Sequence, residues 1–219
     1  GEPLVIYNPL AIEREDVVEA EVEANSTGGI QVVDGKGRPV PTQVLSQTNG
    51  LARILFLARV PSIGFAVYGV QTGKAGAGKS SLRVSDRVLE NARYRVTLND
   101  GGDIAGIFDK SLKKQLLTAP ARLEFRQEVP REWPAWNMDW QDRANAPMGY
   151  VDGPARIRIV EDGPVRVALE VQRTARGSDF VQTIQLAAGG ERVEIVNRIA
   201  WQTTNASLKA AFPLTVSNS

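Results

Sequence analysis

The chain has 219 residues, and its 26 Lys and Arg residues nearly balance its 25 Asp and Glu residues, which leaves a formal net charge of +1. This balance gives no sign of a nucleic-acid surface. The sequence also lacks a run of about 18 apolar residues, the length that would predict a membrane span. The sequence contains no Cys and no His, which excludes disulfides, thiolate metal sites and catalytic triads built around His from this chain.

Alternation of apolar and polar residues with period two dominates the chain and predicts strands with one buried face. It is clearest in residues 93–98, 156–159, 165–172 and 192–201. Turn dipeptides such as Asp34-Gly35 and Asn49-Gly50 separate predicted strands, and Glu161 to Gly163 is expected to be the turn of a hairpin. The best helical candidate is Ser111 to Thr118, about two turns at most. The sequence therefore predicts an all-β fold.

The composition changes once, at TGKAGAGKSSL (72–82), where small residues dominate between two strand-like stretches. This change predicts a linker between two β-domains. We expect a small β-sandwich domain at 1–73, a linker at 74–82 and a second, larger sandwich at 83–219.

The linker also matches the phosphate-loop pattern G-x-x-x-x-G-K-[ST] from Gly73 to Ser80. A working phosphate loop needs a helix after it, whose N-terminal N–H groups hold the phosphates. Residues 81–99 are predicted to be strand instead, so we interpret Gly73–Ser80 as a chance match and expect no nucleotide site.

Three of the four Trp residues lie in one irregular stretch, REWPAWNMDWQD (131–142). Aromatic faces stack on sugar rings and carboxylates accept hydrogen bonds from sugar hydroxyls, so Trp133, Trp136, Asp139 and Trp140 are candidate substrate-binding residues. Asp139 and Asp142 are also two carboxylates close together in the sequence and next to aromatic residues. Glycoside hydrolysis uses such a pair of carboxylates. The competing interpretation is that the Trp side chains fill the core beneath a long loop.

Five stretches, taken in order, carry a resemblance to a known family: VIYNPLAIERED (5–16), LENARYRVTLNDGGDIAGIFDKSLKKQLL (89–117), WPAWNMDW (133–140), the strand pair at 163–201, and FPLTVSN (212–218). Together they resemble the region that follows the catalytic domain in α-mannosidases of glycoside hydrolase family 38. Asn137 stands where that family commonly has an Asp.

The resemblance implies a small sandwich followed by the start of a large mutarotase-like sandwich, with the chain stopping before that sandwich is complete. It also implies a parent enzyme that hydrolyses α-mannosides with retention and uses zinc. In that family the zinc ligands and the nucleophile lie in an N-terminal barrel and the helical region after it. No catalytic residue and no metal ligand is therefore expected here, and the expected partners are that catalytic domain and, through it, an α-mannoside.

Two alternatives stay open at this stage. The chain could be a free-standing carbohydrate-binding sandwich that uses the Trp-rich stretch, or a purely structural assembly domain. An independent mutarotase-like enzyme is disfavoured, because such enzymes use His. With no signal peptide visible, a cytoplasmic location is expected.

Overall fold

The computed structural model describes residues 3–24, 28–73, 80–133 and 136–216. Within these ranges the chain forms 19 strands and one short helix, and every strand pair is antiparallel. The predicted all-β fold is confirmed.

The first seven strands form a small sandwich of two sheets. The strands are β1 (Pro3–Asn8), β2 (Arg14–Glu23), β3 (Ile30–Val33), β4 (Pro39–Val40), β5 (Thr42–Thr48), β6 (Leu51–Val60) and β7 (Gly64–Thr72). One sheet has the order β1-β7-β3-β4 and the other has the order β2-β6-β5. Both sheets contribute to one apolar cluster, so each buries one face against the other.

Strand β6 shows why this sequence forms a sandwich. Ile54 and Phe56 point into the core, where the Phe56 ring lies 5.1 Å from that of Tyr68 on β7. The alternate residues Arg53 and Arg59 are exposed on the outer face. The period-two pattern thus places Ile54 and Phe56 in the core of the sandwich, while the opposite face of β6 has exposed arginines at its ends and a buried Leu55 between them.

The second sandwich contains the remaining strands. They are β8 (Arg83–Ser85), β9 (Val88–Glu90), β10 (Tyr94–Leu98), β11 (Ile104–Asp109), β12 (Lys114–Gln115), β13 (Arg122–Gln127), β14 (Gly149–Tyr150), β15 (Arg156–Asp162), β16 (Arg166–Ala175), β17 (Ser178–Ala187), β18 (Glu194–Ala200) and β19 (Ala206–Ala211). A sheet of order β12-β11-β10-β9-β8 packs against one of order β15-β16-β17-β18 through a shared core. A third sheet has the order β14-β13-β19.

The third sheet has an aromatic core of its own. Phe125 on β13 is fully buried, and its ring lies 6.0 Å from that of Phe180 on β17, edge to face, and 5.8 Å from that of Trp201. This cluster joins the third sheet to the β15–β18 sheet. It fixes the start of the segment between β13 and β14, which contains the Trp-rich stretch.

The two sandwiches meet at Gln43, a buried side chain on β5. Its Oε1 accepts hydrogen bonds from the backbone N–H groups of Val165 (3.2 Å) and Arg166 (2.9 Å), at the tip of the β15–β16 hairpin. A Cβ at Gly163 would lie 2.2 Å from Gln43 Cδ, so any larger residue at this position would displace the Gln43 side chain from the contact. We call this junction the Gln43 contact.

Ion pairs flank the Gln43 contact. Arg192 Nη2 lies 3.0 Å from Asp16 Oδ1, and Arg166 Nη2 lies 3.8 Å from Glu19 Oε2. Hydrogen bonds to Glu194 and Asp16 raise the pKa of Arg192. Both pairs join strand β2 of the first sandwich to the second sandwich.

Two features differ from the sequence-based expectations. Ser111–Thr118 is not helical, because Asp109 Oδ1 accepts the N–H groups of Ser111 (2.9 Å) and Leu112 (3.0 Å) and folds a turn that leads into β12. A two-turn helix has too few internal hydrogen bonds to compete with such a turn. The helix that does form, α1 (Trp140–Ala144), was not predicted.

Of the predicted linker, residues 74–79 lie outside the described part of the chain, and β8 begins at Arg83. The boundaries 1–73, 74–82 and 83–219 stay a prediction. The expected hairpin at Glu161–Gly163 is present, between β15 and β16.

Candidate functional site

The Trp-rich stretch, residues 131–142, lies in the connection between β13 and β14 and is held by its own backbone and two carboxylates. The N–H groups of Trp136 and Asn137 both donate to the carbonyl of Trp133, at 3.0 and 2.8 Å. Helix α1 follows, with Asp139 at its N-cap position. We call this stretch the tryptophan segment.

The tryptophan side chains of this segment face solvent. Trp133, Trp136 and Trp140 are 65%, 80% and 72% exposed. The alternative in which they fill the core is therefore wrong, and Trp201 is the tryptophan that packs on core aromatics. Exposed aromatic side chains clustered in one segment are typical of a surface that binds a ligand or another protein.

Asp139 and Asp142 fasten the segment. Asp139 Oδ2 accepts the backbone N–H of Arg131 at 3.2 Å and lies 3.3 Å from its Nη1, while Asp142 Oδ2 accepts the N–H of Val129 at 2.9 Å. Both carboxylates thus hold the loop in shape. The structure brings the four candidates Trp133, Trp136, Asp139 and Trp140 into one segment, and their role in sugar binding stays a prediction.

A second cluster, which sequence reasoning missed, lies inside the second sandwich. Asp103 is buried between two guanidinium groups, with Oδ1 2.7 Å from Arg173 Nη1 and Oδ2 3.0 Å from Arg122 Nε. Arg173 also donates to Gln182 Oε1, whose Nε2 donates to Asn197 Oδ1 at 2.9 Å. We call these five side chains the Asp103 cluster.

A signal for this cluster is present in the sequence. Arg173 continues the alternation of Val167, Leu169 and Val171, all of which are buried. A charged residue in the buried phase of a strand requires a buried partner, and here that partner is Asp103.

The described residues contain no group of three or more His, Cys, Asp or Glu side chains that could hold a metal ion. The phosphate-loop match lies mostly outside them, at residues 74–79, and strands rather than a helix follow it. In the same described ranges, no helix is long and apolar enough to cross a bilayer.

These observations define a class, namely a β-region of two sandwiches with an exposed aromatic segment and, among the residues described, no group of side chains that could hold a metal ion. Comparison of the sequence with models of known protein families then identifies the family. Residues 89–219 match the model of the glycosyl hydrolases family 38 C-terminal domain, which is more than half of the chain. The chain belongs to glycosyl hydrolase family 38.

Solved structures show the same fold. A protein in glycosyl hydrolase family 38 from Enterococcus faecalis is similar with a TM-score of 0.72 at 15% sequence identity, over 96% of this chain and 32% of that one. An α-mannosidase from Enterococcus faecalis V583 has a TM-score of 0.69 at 15% identity, over 96% and 31%. This chain thus spans about a third of their length. No curated protein matches the sequence significantly.

Proposed function

We propose that this chain is the non-catalytic β-region of an α-mannosidase whose complete chain hydrolyses terminal α-mannosides with retention, using zinc. The family match over residues 89–219 carries the proposal. It is supported by similarity to the Enterococcus faecalis V583 structure, which is that of an α-mannosidase. In the proposal, the substrate is bound by a catalytic domain outside this sequence, and a cytoplasmic location stays a prediction.

The residues of this chain do not fit a zinc site. The sequence has no His and no Cys, which are the main ligands of zinc in proteins. The proposal therefore places every zinc ligand and every catalytic group elsewhere in the complete protein. The part assigned to this chain is to support that catalytic domain.

The test is hydrolysis of a chromogenic α-mannoside by the complete reading frame and by this chain alone, each with and without a zinc chelator. We expect the complete protein to be active, to lose activity with the chelator and to regain it with added zinc. This chain alone should be inactive. Hydrolysis by this chain alone, or a complete protein with no activity, would refute the proposal.

A second function is favoured by the exposure of Trp136 and Trp140. In this alternative the tryptophan segment itself binds carbohydrate, with the aromatic faces against the apolar face of the sugar.

The prediction that tests it is that Trp136→Ala and Trp140→Ala weaken binding of methyl α-mannoside while the free energy of unfolding changes by less than about 0.5 kcal/mol. The measurement is a binding titration paired with denaturant unfolding. Trp201→Ala is the matched control, because Trp201 packs on Phe125 and Phe180 and its loss should destabilise the fold. Unchanged affinity in both surface variants would exclude the tryptophan segment as a sugar site.

A further inference from the structure

Strands β1 and β7 of the first sandwich are apolar on both faces. Their inward side chains belong to the core, and neither strand contains a charged residue. On the outward face Val5 lies opposite Val67 and Tyr7 lies opposite Phe65, and these four side chains, which we call the β1–β7 patch, are 42–74% exposed. A strand with one solvated face alternates apolar and polar residues, whereas a strand covered on both faces is continuously apolar. These two strands have the sequence of the covered kind.

The outer face of β2, in the other sheet of the same sandwich, is charged. Glu19, Glu21 and Glu23 are exposed there, and Glu19 Oε1 lies 2.5 Å from Nη2 of Arg53 on β6. Because both sheets belong to one sandwich, the contrast reflects the surroundings of each outer face. A solvated face of this sandwich has charged side chains, and the β1–β7 patch has none.

Two loops extend the patch at one end with Leu10, Ile12 and Ile63, which are 47%, 63% and 74% exposed. Buried Asn8 holds both loops, since its Nδ2 donates to the carbonyls of Ile12 at 2.7 Å and Pro61 at 2.9 Å. Ile63 has a φ of 43°, a left-handed conformation that is unfavourable for a β-branched residue and common for Asn or Gly. An exposed apolar side chain is thus held in place at a backbone cost, which is typical of functional surfaces.

The position of β1 in the protein indicates what covers the patch. Under the proposed function the catalytic domain lies outside this sequence. Residues 89–219 match a C-terminal domain, so the catalytic domain precedes β1, which starts at Pro3. In the described part of the chain no strand pairs with the outer edge of β1. The second sandwich contacts the opposite sheet, through Gln43 on β5, and leaves the patch free.

We propose that the β1–β7 patch and its two loops are the surface on which the catalytic domain of the complete protein docks, through an apolar surface of that domain. The inference rests on the proposed function. Removing both apolar surfaces from water favours the association, and charged residues are depleted at the centre of stable interfaces. In this chain alone the patch is open to solvent, so substitutions there change stability little. In the complete protein the same side chains are covered.

The test measures how fast a thiol introduced into the patch reacts with iodoacetamide in the complete protein. Phe65→Cys places the thiol in the patch, and Glu21→Cys is the matched control on the outer face of β2. This chain has no Cys of its own, so peptide mass spectrometry assigns each adduct to its position. We expect the thiol at position 65 to react at least about tenfold more slowly than the control, because a covered thiol is far less reactive than an exposed one. Equal rates would overturn the inference.

A second variant measures what the contact contributes. Phe65→Lys places a charge in the interface and should lower the melting temperature of the complete protein by about 2–4 °C or more. Phe65→Leu keeps an apolar side chain and should melt close to the unchanged protein. Equal melting temperatures of Phe65→Lys and Phe65→Leu would contradict the docking.

The remaining outcomes separate this inference from the proposed function. A complete protein that hydrolyses an α-mannoside with zinc but labels equally at both positions refutes the docking surface alone. An inactive complete protein that protects position 65 supports the docking surface and refutes the assignment as an α-mannosidase. Protection that is lost when a dimer is diluted to monomer assigns the patch to a second copy and overturns the inference.

Discussion

Replacing Asp103 with Asn is expected to lower the free energy of unfolding of the second sandwich by about 3–5 kcal/mol, the usual cost of removing one partner from a buried ion pair. Asn has nearly the same shape as Asp, so the change in the free energy of unfolding reports the loss of the negative charge. Arg173, whose side chain is 1% exposed, would keep its positive charge without the carboxylate that lies 2.7 Å from Nη1. Amide hydrogen exchange of β16 and β17 under native conditions measures this loss.

Asp100→Asn is the matched control. Asp100 lies three residues earlier, and its carboxylate is 87% exposed where it pairs with Arg87. Exposed ion pairs contribute about 0–1 kcal/mol, so this variant should exchange almost as the unchanged protein does. Equal effects of the two substitutions would mean that Arg173 is stabilised without Asp103.

Phe125→Ala is expected to destabilise the second sandwich by about 3–5 kcal/mol, because removing a fully buried phenyl ring loses its transfer free energy and leaves a cavity. The ring is 0% exposed and contacts Phe180 and Trp201. Faster exchange of the β13 and β19 amides is the expected observation, since these strands pair through Phe125 and Leu208.

Phe65→Ala makes the same chemical change on a surface. Phe65 on β7 is 59% exposed and lies 5.9 Å from the ring of Tyr7 on β1. An exposed cross-strand pair contributes about 0.2–1 kcal/mol. A loss as large as that of Phe125→Ala would show that the outer face of the first sandwich is covered by other parts of the protein.

The strands could be predicted from the sequence because successive residues of a strand point alternately into the core and away from it. In β16, Val167, Leu169 and Val171 are all buried as the alternation predicts. Glu170, on the opposite phase, is buried as well, and it pairs with Arg158 on β15 at 2.7 Å. A local pattern does not contain such a cross-strand contact.

The Asp103 cluster could not be assembled from the sequence for the same reason. Its members Asp103 and Arg173 are 70 residues apart, and only the pairing of sheets brings them together. The Trp-rich stretch was visible from composition, but whether its aromatic rings face the core or solvent depends on Asp139 and Asp142, which fold the loop through backbone contacts. Side chains that bond to the backbone in this way are invisible to a hydrophobic pattern.

The Gln43 contact has a consequence for how the protein tolerates change between its sandwiches. Their relative orientation is set by a glutamine seated against Gly163 and by two N–H groups of a hairpin tip, and a tether is not needed to define it. If residues 74–82 are the linker that the sequence predicts, lengthening it would add only the entropy of closing a longer loop, about 0.6 kcal/mol for each doubling. On that prediction the length and composition of the linker can change without altering the contact between the sandwiches, and the phosphate-loop pattern needs no function to explain it.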